Sequence, residues 1–406
     1  MLISGAEAGE TVLSGGATMQ QNYDSNIHRT DRNRVNEWTT AFSPNIAIDS
    51  TGQYHSLFLK YSPSVVYSHL TDNERWDHFL TTGLNKELGE RLSFSVRDTF
   101  VRAEDPYSDE ESGIELSDSR GRNRYWTNNV TASLGYEYAR ESSITFSYLN
   151  MILDNDERLD DDYVKHRPGI SIKQRFSSHW QAEADYFFTK GNFEEDDDLE
   201  NHAGDLYIYY LPTTFSKFFV HGGYTTNQYQ GISNDYDISR ASIGFEHQLS
   251  SSSDVRLEGG GSFLNRDVRD DKEAFYFTVA ANKKFQHGFL SLNGEGGIDE
   301  QQFDGTSELD VSRYWLISSA FNYSLTSSLV AGTTFSYRED TYWERTPEEK
   351  EELVKAEASL SYTFWRWYTA TARYVYSMRD ADVSTRCYDD NRVFLELTYN
   401  KDFFHW

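Results

Sequence analysis

Apolar and polar residues take turns along this chain, and the alternation holds over stretches of about ten residues or more. Val354, Ala356, Ala358, Leu360, Tyr362 and Phe364 fall on one face of an extended segment, with Lys355, Glu357, Ser359, Ser361 and Thr363 on the other. The same split recurs at Trp180, Ala182, Ala184, Tyr186 and Phe188 against Gln181, Glu183 and Asp185, and at Val130, Ala132, Leu134 and Tyr136 against Thr131, Ser133, Gly135 and Glu137. Tyr368, Ala370, Ala372, Tyr374 and Tyr376 repeat it near the end of the chain. A period of two places successive side chains on opposite faces of a strand. Strands of soluble domains average about five or six residues, whereas a tilted strand that crosses a bilayer needs about 9–11. The stripes here have the longer dimension, and their rings gather toward the ends, where Tyr and Trp anchor at water–lipid boundaries.

Connections alternate in length. Short polar turns are predicted at Ser50-Thr51-Gly52, Leu88-Gly89-Glu90, Ala139-Arg140-Glu141, Ser177-Ser178-His179, Ser250 to Ser253, Gln286-His287-Gly288 and Leu325-Thr326-Ser327. Longer acidic segments separate them, at Glu104 to Asn123, Asp154 to Asp162, Glu194 to Asn201, Asp267 to Glu273 and Glu344 to Glu352. Short turns at one end and long loops at the other are the pattern of outer-membrane barrels. The expectation is all-β: a single transmembrane antiparallel up-and-down β-barrel of about 20 strands, roughly 18 to 22 once boundary drift is allowed. Short turns and both termini would face the periplasm of a Gram-negative cell, and the acidic loops the exterior. Residues 9–406 read as this one domain. Residues 1–8, ending Ala6-Glu7-Ala8, resemble the tail of a secretory signal or match it by chance.

Composition sharpens this reading. The net charge of -27 and mean hydropathy of -0.70 suggest a soluble acidic chain, but 16% aromatic residues do not fit an acidic disordered one. A barrel reconciles them, since half of each strand is hidden from lipid. No run of about 18 apolar residues exists, which excludes a helical span. A soluble sandwich would show turn signals every eight to twelve residues or so, whereas the spacing here is nearer twenty. The negative charge disfavours nucleic acid as a partner. Cys387 is the single cysteine, so no intrachain disulfide, Cys-based zinc site or CxxCH haem motif exists.

If the stripes are assigned correctly, Arg97, Lys173, Arg175, Glu183, Asp185, Arg240, Arg256, Glu258, Glu295, Lys355, Glu357 and Arg373 face a polar interior. Both signs are present, which suits a hydrated pore with charges paired on its wall or guiding a solute. Inward Tyr276, Thr278, Ser291, Asn293, Ser359 and Ser361 add groups that can stack on or hydrogen-bond to sugars. The longest connection, Glu104 to Asn123, carries Asp105, Asp109, Glu110, Glu111, Arg120 and Arg122 and is expected to fold inward as a constriction. Loop carboxylates such as Asp154, Asp156, Asp196, Asp197 and Asp198 form an acidic rim; Asp154-Asn155-Asp156-Glu157 lacks the glycine and terminal Glu of a calcium loop, so no metal site is expected. His55, His78, His166, His179, His221 and His247 are scattered, with no HExxH or GxSxG signature to mark an enzyme.

Gln21-Asn22-Tyr23-Asp24-Ser25-Asn26, followed by a polar loop and Phe42-Ser43-Pro44-Asn45-Ile46, resembles a family of β-barrel porins from Gram-negative bacteria associated with exopolysaccharide export systems. The resemblance implies passage of a polymer or small solute across the outer membrane, with no cofactor and no catalytic residues. It implies outer-membrane lipids, lipopolysaccharide and a separate periplasmic polysaccharide-export protein as partners. A general diffusion porin and a structural barrel around an electron-transfer cytochrome are the alternatives.

Overall fold

The computed structural model describes residues 9–105, 108–109, 114–115, 123–156, 162–194, 196–231, 235–266, 269–303, 310–343, 345 and 347–406. Their alternating pattern folds into one sheet of twenty long strands, from Glu10–Asp24 to Tyr388–His405. Each strand runs antiparallel to both its neighbours, and the ring closes where Glu10–Asp24 pairs with Tyr388–His405. The strands are 12 to 18 residues long, enough to cross hydrocarbon with some to spare. The expected twenty-strand antiparallel up-and-down barrel is the observed fold. A minor hairpin, Ser108–Asp109 with Ile114–Glu115, stands apart from the ring.

The period-two split becomes an inside and an outside. Ile243 and Phe275 are each 69% exposed, and Leu292, Ile317, Leu360 and Leu397 also look outward. Such a continuous apolar belt on a monomer has its natural solvent in lipid. Two aromatic girdles bound it. At the short-turn end Trp180 packs on Tyr210 (5.1 Å), and Trp365, Phe403, Phe404 and Trp406 are exposed. At the other end Tyr23 meets Trp38 (4.9 Å) and Trp315 meets Tyr337 (4.8 Å). These belts fit the two interfaces of a bilayer.

Both termini lie at the end of the short turns, since the chain makes twenty passes. Every short turn predicted above connects neighbouring strands, and the long connections lie at the opposite end. Four of the acidic segments are shorter as loops than expected, two of them, Asp154 to Asp162 and Asp267 to Glu273, by only two residues. In the other two, Leu199–Tyr210 begins inside Glu194 to Asn201, and Glu349–Phe364 begins inside Glu344 to Glu352. The cause is local neutralisation: Lys190 lies 3.8 Å from Glu200, and buried Glu351 is gripped by Arg345 (3.0 Å), Arg379 and Arg386 (3.3 Å).

The motif that carried the family resemblance sits at the closing seam. Asn26 is fully buried; its Nδ2 donates to the carbonyls of Thr30 (2.8 Å) and Asp389 (3.0 Å), and its N–H to Asp24 Oδ1 (2.8 Å). Ser25 Oγ donates to Asp390 Oδ1 (3.1 Å) and accepts from the Asn391 N–H (2.7 Å). These bonds tie the end of the first strand to the start of the last. One seam over, Phe42 pairs with Val65 and Ile46 with Tyr61, while Pro44 and Pro63 face each other between them. Neither proline has an N–H, so the ladder is interrupted there.

The two faces predict opposite tolerances. Ile317→Arg, on the outer belt, should cost about 2–4 kcal/mol of folding free energy near the bilayer midplane. Ser318→Arg, the next residue, points inward opposite Asn293 and Ser336 and should cost far less. Urea titration of the two variants refolded into vesicles measures the difference.

Candidate functional site

The alternation creates an extended polar surface on the inside of the barrel, and it divides into two sectors. From Lys272–Phe285 round through the seam to Ser142–Asn155, the short-turn half is paved with hydroxyls and amides. They bond across strands: Asn282 with Ser291 (2.8 Å), Ser361 with Thr371 (3.0 Å), Thr18 with Thr398 (3.0 Å), Ser43 with Ser64 (2.8 Å) and Ser95 with Ser133 (2.7 Å). Such cross-strand pairs satisfy the wall while leaving spare donors and acceptors for the lumen.

The remaining sector, Tyr163–Arg175 to Ser253–Arg266, is ionic. Lys173 pairs with Glu183 (3.3 Å), Arg175 reaches Glu141 (3.6 Å), and Arg256 bridges Glu246 (3.1 Å) and Glu258 (2.9 Å). Asp185 stands opposite Asp205, and Arg240 lies over the Tyr276 ring (4.8 Å). The other five sequence-derived candidates stand within the hydroxyl-rich sector. Arg97 lies over Phe58 (5.4 Å), Arg373 lies over Phe394 (4.0 Å) and 3.7 Å from Glu357, and Glu295 and Lys355 occupy register positions beside Thr278 and Ser336. The register therefore puts all twelve on the face opposite the apolar belt. It joins Lys173 to Glu183, Arg256 to Glu258 and Glu357 to Arg373. Guanidiniums laid on rings keep their charge at the wall without projecting into the passage.

Sequence reasoning missed one group. His221 Nδ1 is 2.9 Å from Glu258 Oε1, and its Nε2 is 2.9 Å from Asp205 Oδ1. Ser242 Oγ donates to Glu258 Oε1 at 2.6 Å and lies 3.3 Å from His221 Nδ1. The Asp–His–Ser alignment invites comparison with a hydrolytic triad. Its hydroxyl, however, bonds to a carboxylate, and the Tyr207 ring stacks on the imidazole at 4.0 Å. With the His221 and Glu258 side chains 1% and 0% exposed, the group braces neighbouring strands and offers no nucleophile. Its one signal in the sequence is that each member holds an inward position on adjacent strands.

At the loop end the lumen is crossed. Pairing between Lys272–Phe285 and Gly288–Gln301 stops at Phe277 and Gly296, where the Gly296-Gly297 step lets the second strand leave its neighbour. A Cβ at Gly296 would meet the Phe277 ring at 2.5 Å, so the departure needs glycine. Beyond it, Ile298 packs with Tyr236, Ile238, Leu264 and Trp343 on the inner wall. Gln302 Nε2 donates to Tyr236 Oη (2.7 Å), Tyr229 Oη (3.1 Å) and Asn227 Oδ1 (3.2 Å). Phe303 meets Tyr163 (5.2 Å between rings) and Phe193 (5.3 Å), seven strands round the ring, and Tyr163 Oη donates to the Phe303 carbonyl (3.0 Å). At about 4.8 Å per strand, that contact is reachable only through the interior. Residues Ile298 to Phe303 are thus an arm inside the mouth, where Val101, Tyr125, Met151 and Leu153 also form a buried apolar cluster.

The constriction expected of Glu104 to Asn123 falls largely outside the described residues: Glu110, Glu111, Arg120 and Arg122 are among those not described. Asp109 is placed only as backbone of the minor hairpin, and Asp105 lies 3.4 Å from Arg75. Among the described residues, no group of three His, Cys, Asp or Glu side chains is arranged to hold a metal ion.

Residues 290–401 match a family model described as "Putative beta-barrel porin 2", so the resemblance to β-barrel porins holds over the strands that end at the seam. The chain is a closed β-barrel with a porin-like segment. Among solved structures it is similar to the siderophore receptor PirA of Pseudomonas aeruginosa, at 10% identity over 96% of this barrel and 80% of that chain, with a TM-score of 0.53. It is also similar to OccAB4 of Acinetobacter baumannii (10% identity, 98% and 99% of the two chains, TM-score 0.46) and to the outer membrane protein opdK of Pseudomonas aeruginosa (10%, 97% and 99%, TM-score 0.45). At these identities the likeness concerns the barrel fold. No curated protein matches it.

Two outcomes follow from the arm and the brace. Gly191 lies against Phe303, where a Cβ would come within 2.8 Å of the ring, so Gly191→Leu should expel the arm and raise single-channel conductance in planar bilayers, as should Phe303→Ala. Glu258→Ala strips Arg256 and His221 of their shared buried anion and should lower stability by about 3–5 kcal/mol, read from unfolding in detergent.

Proposed function

We propose that this barrel is an outer-membrane channel, and that the passage serves export of an exopolysaccharide. The observation that carries the reading is the hydroxyl and amide pavement of the lumen. A polymer of hydroxylated sugars can exchange hydrogen bonds along such a wall without being held at any one point, as conduction requires. The match of residues 290–401 to a porin family supports the channel part.

In this reading the short turns and both termini face the periplasm, where a separate polysaccharide-export protein delivers the chain, and the acidic loops face outward. Sugar travels from the open, polar short-turn end toward the mouth and displaces the Ile298–Phe303 arm as it leaves. Lipopolysaccharide surrounds the loop-end girdle, where outward Tyr–His pairs recur: Tyr61 with His78 (2.9 Å), Tyr148 with His166 (2.8 Å) and Tyr186 with His202 (2.7 Å).

Two measurements test it. Purified protein in planar bilayers should give stable, ohmic steps, and cells lacking the gene should secrete less surface polysaccharide. Normal secretion alongside intact conductance would reduce the role to diffusion of small solutes; absence of conductance would remove the channel itself.

A further inference from the structure

We infer that the short-turn end of the lumen contains a saccharide-binding recess with a preference for acidic sugars. The idea rests on the polysaccharide reading above and names a place and a chemistry for it. A concavity of about 920 Å³ lies against the wall where the ring closes. Neutral donors and acceptors line much of it, among them Thr18, Ser43, Asn45, Thr398 and Asn400, and Trp367 stands at one side. Asn45 Nδ2 donates to Asn400 Oδ1 at 3.3 Å, and Thr18 bonds to Thr398 at 3.0 Å, so the amides and hydroxyls are held in place yet keep unused valences.

The turn that presents Trp367 is unusual. Trp365 and Arg366 both have positive φ, 47° and 68°, in a turn with no glycine. Left-handed backbone is unfavourable for side chains of this size, and such strain gathers at functional sites. Its effect here is to set Arg366 and Trp367 on the recess. Lys401 Nζ lies 5.1 Å from the centre of the Trp367 indole, whose residue stays 41% exposed. An exposed aromatic face beside ordered hydroxyls and amides is the pairing that a pyranose ring fits, its C–H face on the indole and its hydroxyls on the wall.

Charge selects the kind of sugar. Glu396 lies 3.9 Å from Arg373, and Asp402 3.9 Å from His405. Lys60 and Arg366, both exposed, have no ion pair or hydrogen bond among the described residues. The recess therefore offers two uncommitted cations, and a uronate carboxylate is the group on a sugar that would meet them.

The test is calorimetric titration of the detergent-solubilised full chain with tetragalacturonate and with maltotetraose, an uncharged oligosaccharide of equal length. Tetragalacturonate should bind about tenfold more tightly than the neutral tetramer. Trp367→Ala should weaken both by a similar factor of about ten, Lys60→Gln should erase most of the difference between them, and Trp180→Ala, an exposed ring elsewhere, should leave both unchanged. Equal binding of the two oligomers by the wild type, or wild-type binding by Trp367→Ala, overturns the inference. Heat liberated by sugar is readable whether or not the barrel conducts. Silence in calorimetry with intact secretion defects removes the recess and spares export, whereas binding with normal secretion does the reverse.

Discussion

Hydrocarbon offers a peptide N–H or C=O nothing to bond to, and each unsatisfied group there costs several kcal/mol. A sheet meets that demand only by having no edge. In this protein the demand is met at a single place, the pairing of Glu10–Asp24 with Tyr388–His405, whose register runs from Val12 opposite His405 to Asp24 opposite Arg392. The buried Asn26 and the Ser25–Asp390 bond hold that junction at its loop end. The ladder interruption at Pro44 and Pro63 is tolerable because the strands on either side are bound into a ring that cannot slide open.

Closure fixes which chemistry each side chain meets. Once the ring exists, a residue's parity decides between lipid and lumen, and a one-residue slip would exchange all of them. This is why the fold was legible in the sequence. Val354 to Phe364 and Trp180 to Phe188 announced strand length and facing together, and the position of the turns followed from where each stripe ran out. Where the reading erred most, at Glu200 and Glu349 to Glu352, composition had been taken for conformation. A carboxylate reads as loop only until a lysine or arginine from another strand neutralises it, and that partner is distant in sequence: Arg379 and Glu351 are brought together by the register.

The site was legible to the same depth. Parity put the twelve charged candidates on the inner face, yet it could not say which would meet. Asp205, His221, Ser242 and Glu258 lie on four consecutive strands, and their convergence depends on stagger, which small differences in turn length accumulate. The Ile298–Phe303 arm was harder still. Its residues continue a strand pattern in the sequence, and Gly294-Glu295-Gly296-Gly297 resembles ordinary small-residue spacing. Only the loss of pairing beyond Gly296 reveals that the strand parts from Lys272–Phe285 while staying paired with Asp310–Ser324.

The lumen that results is graded from end to end. Hydroxyls, amides and wall-bound guanidiniums occupy the short-turn half, and two apolar clusters with the arm between them occupy the mouth. In a channel of the kind proposed, Phe303, packed on Tyr163 and Phe193, would stand in the way of a polar solute at the mouth. The arm has let go of Lys272–Phe285 but stays paired with Asp310–Ser324 as far as Gln301, so only its tip, Gln302 and Phe303, is held by side-chain bonds and ring packing alone. The rigid element is the fully paired wall, and the more yielding one is the segment paired on one side only. A barrel must keep its backbone bonds under all conditions, so the place where it can yield is where one side of the ladder has already been let go.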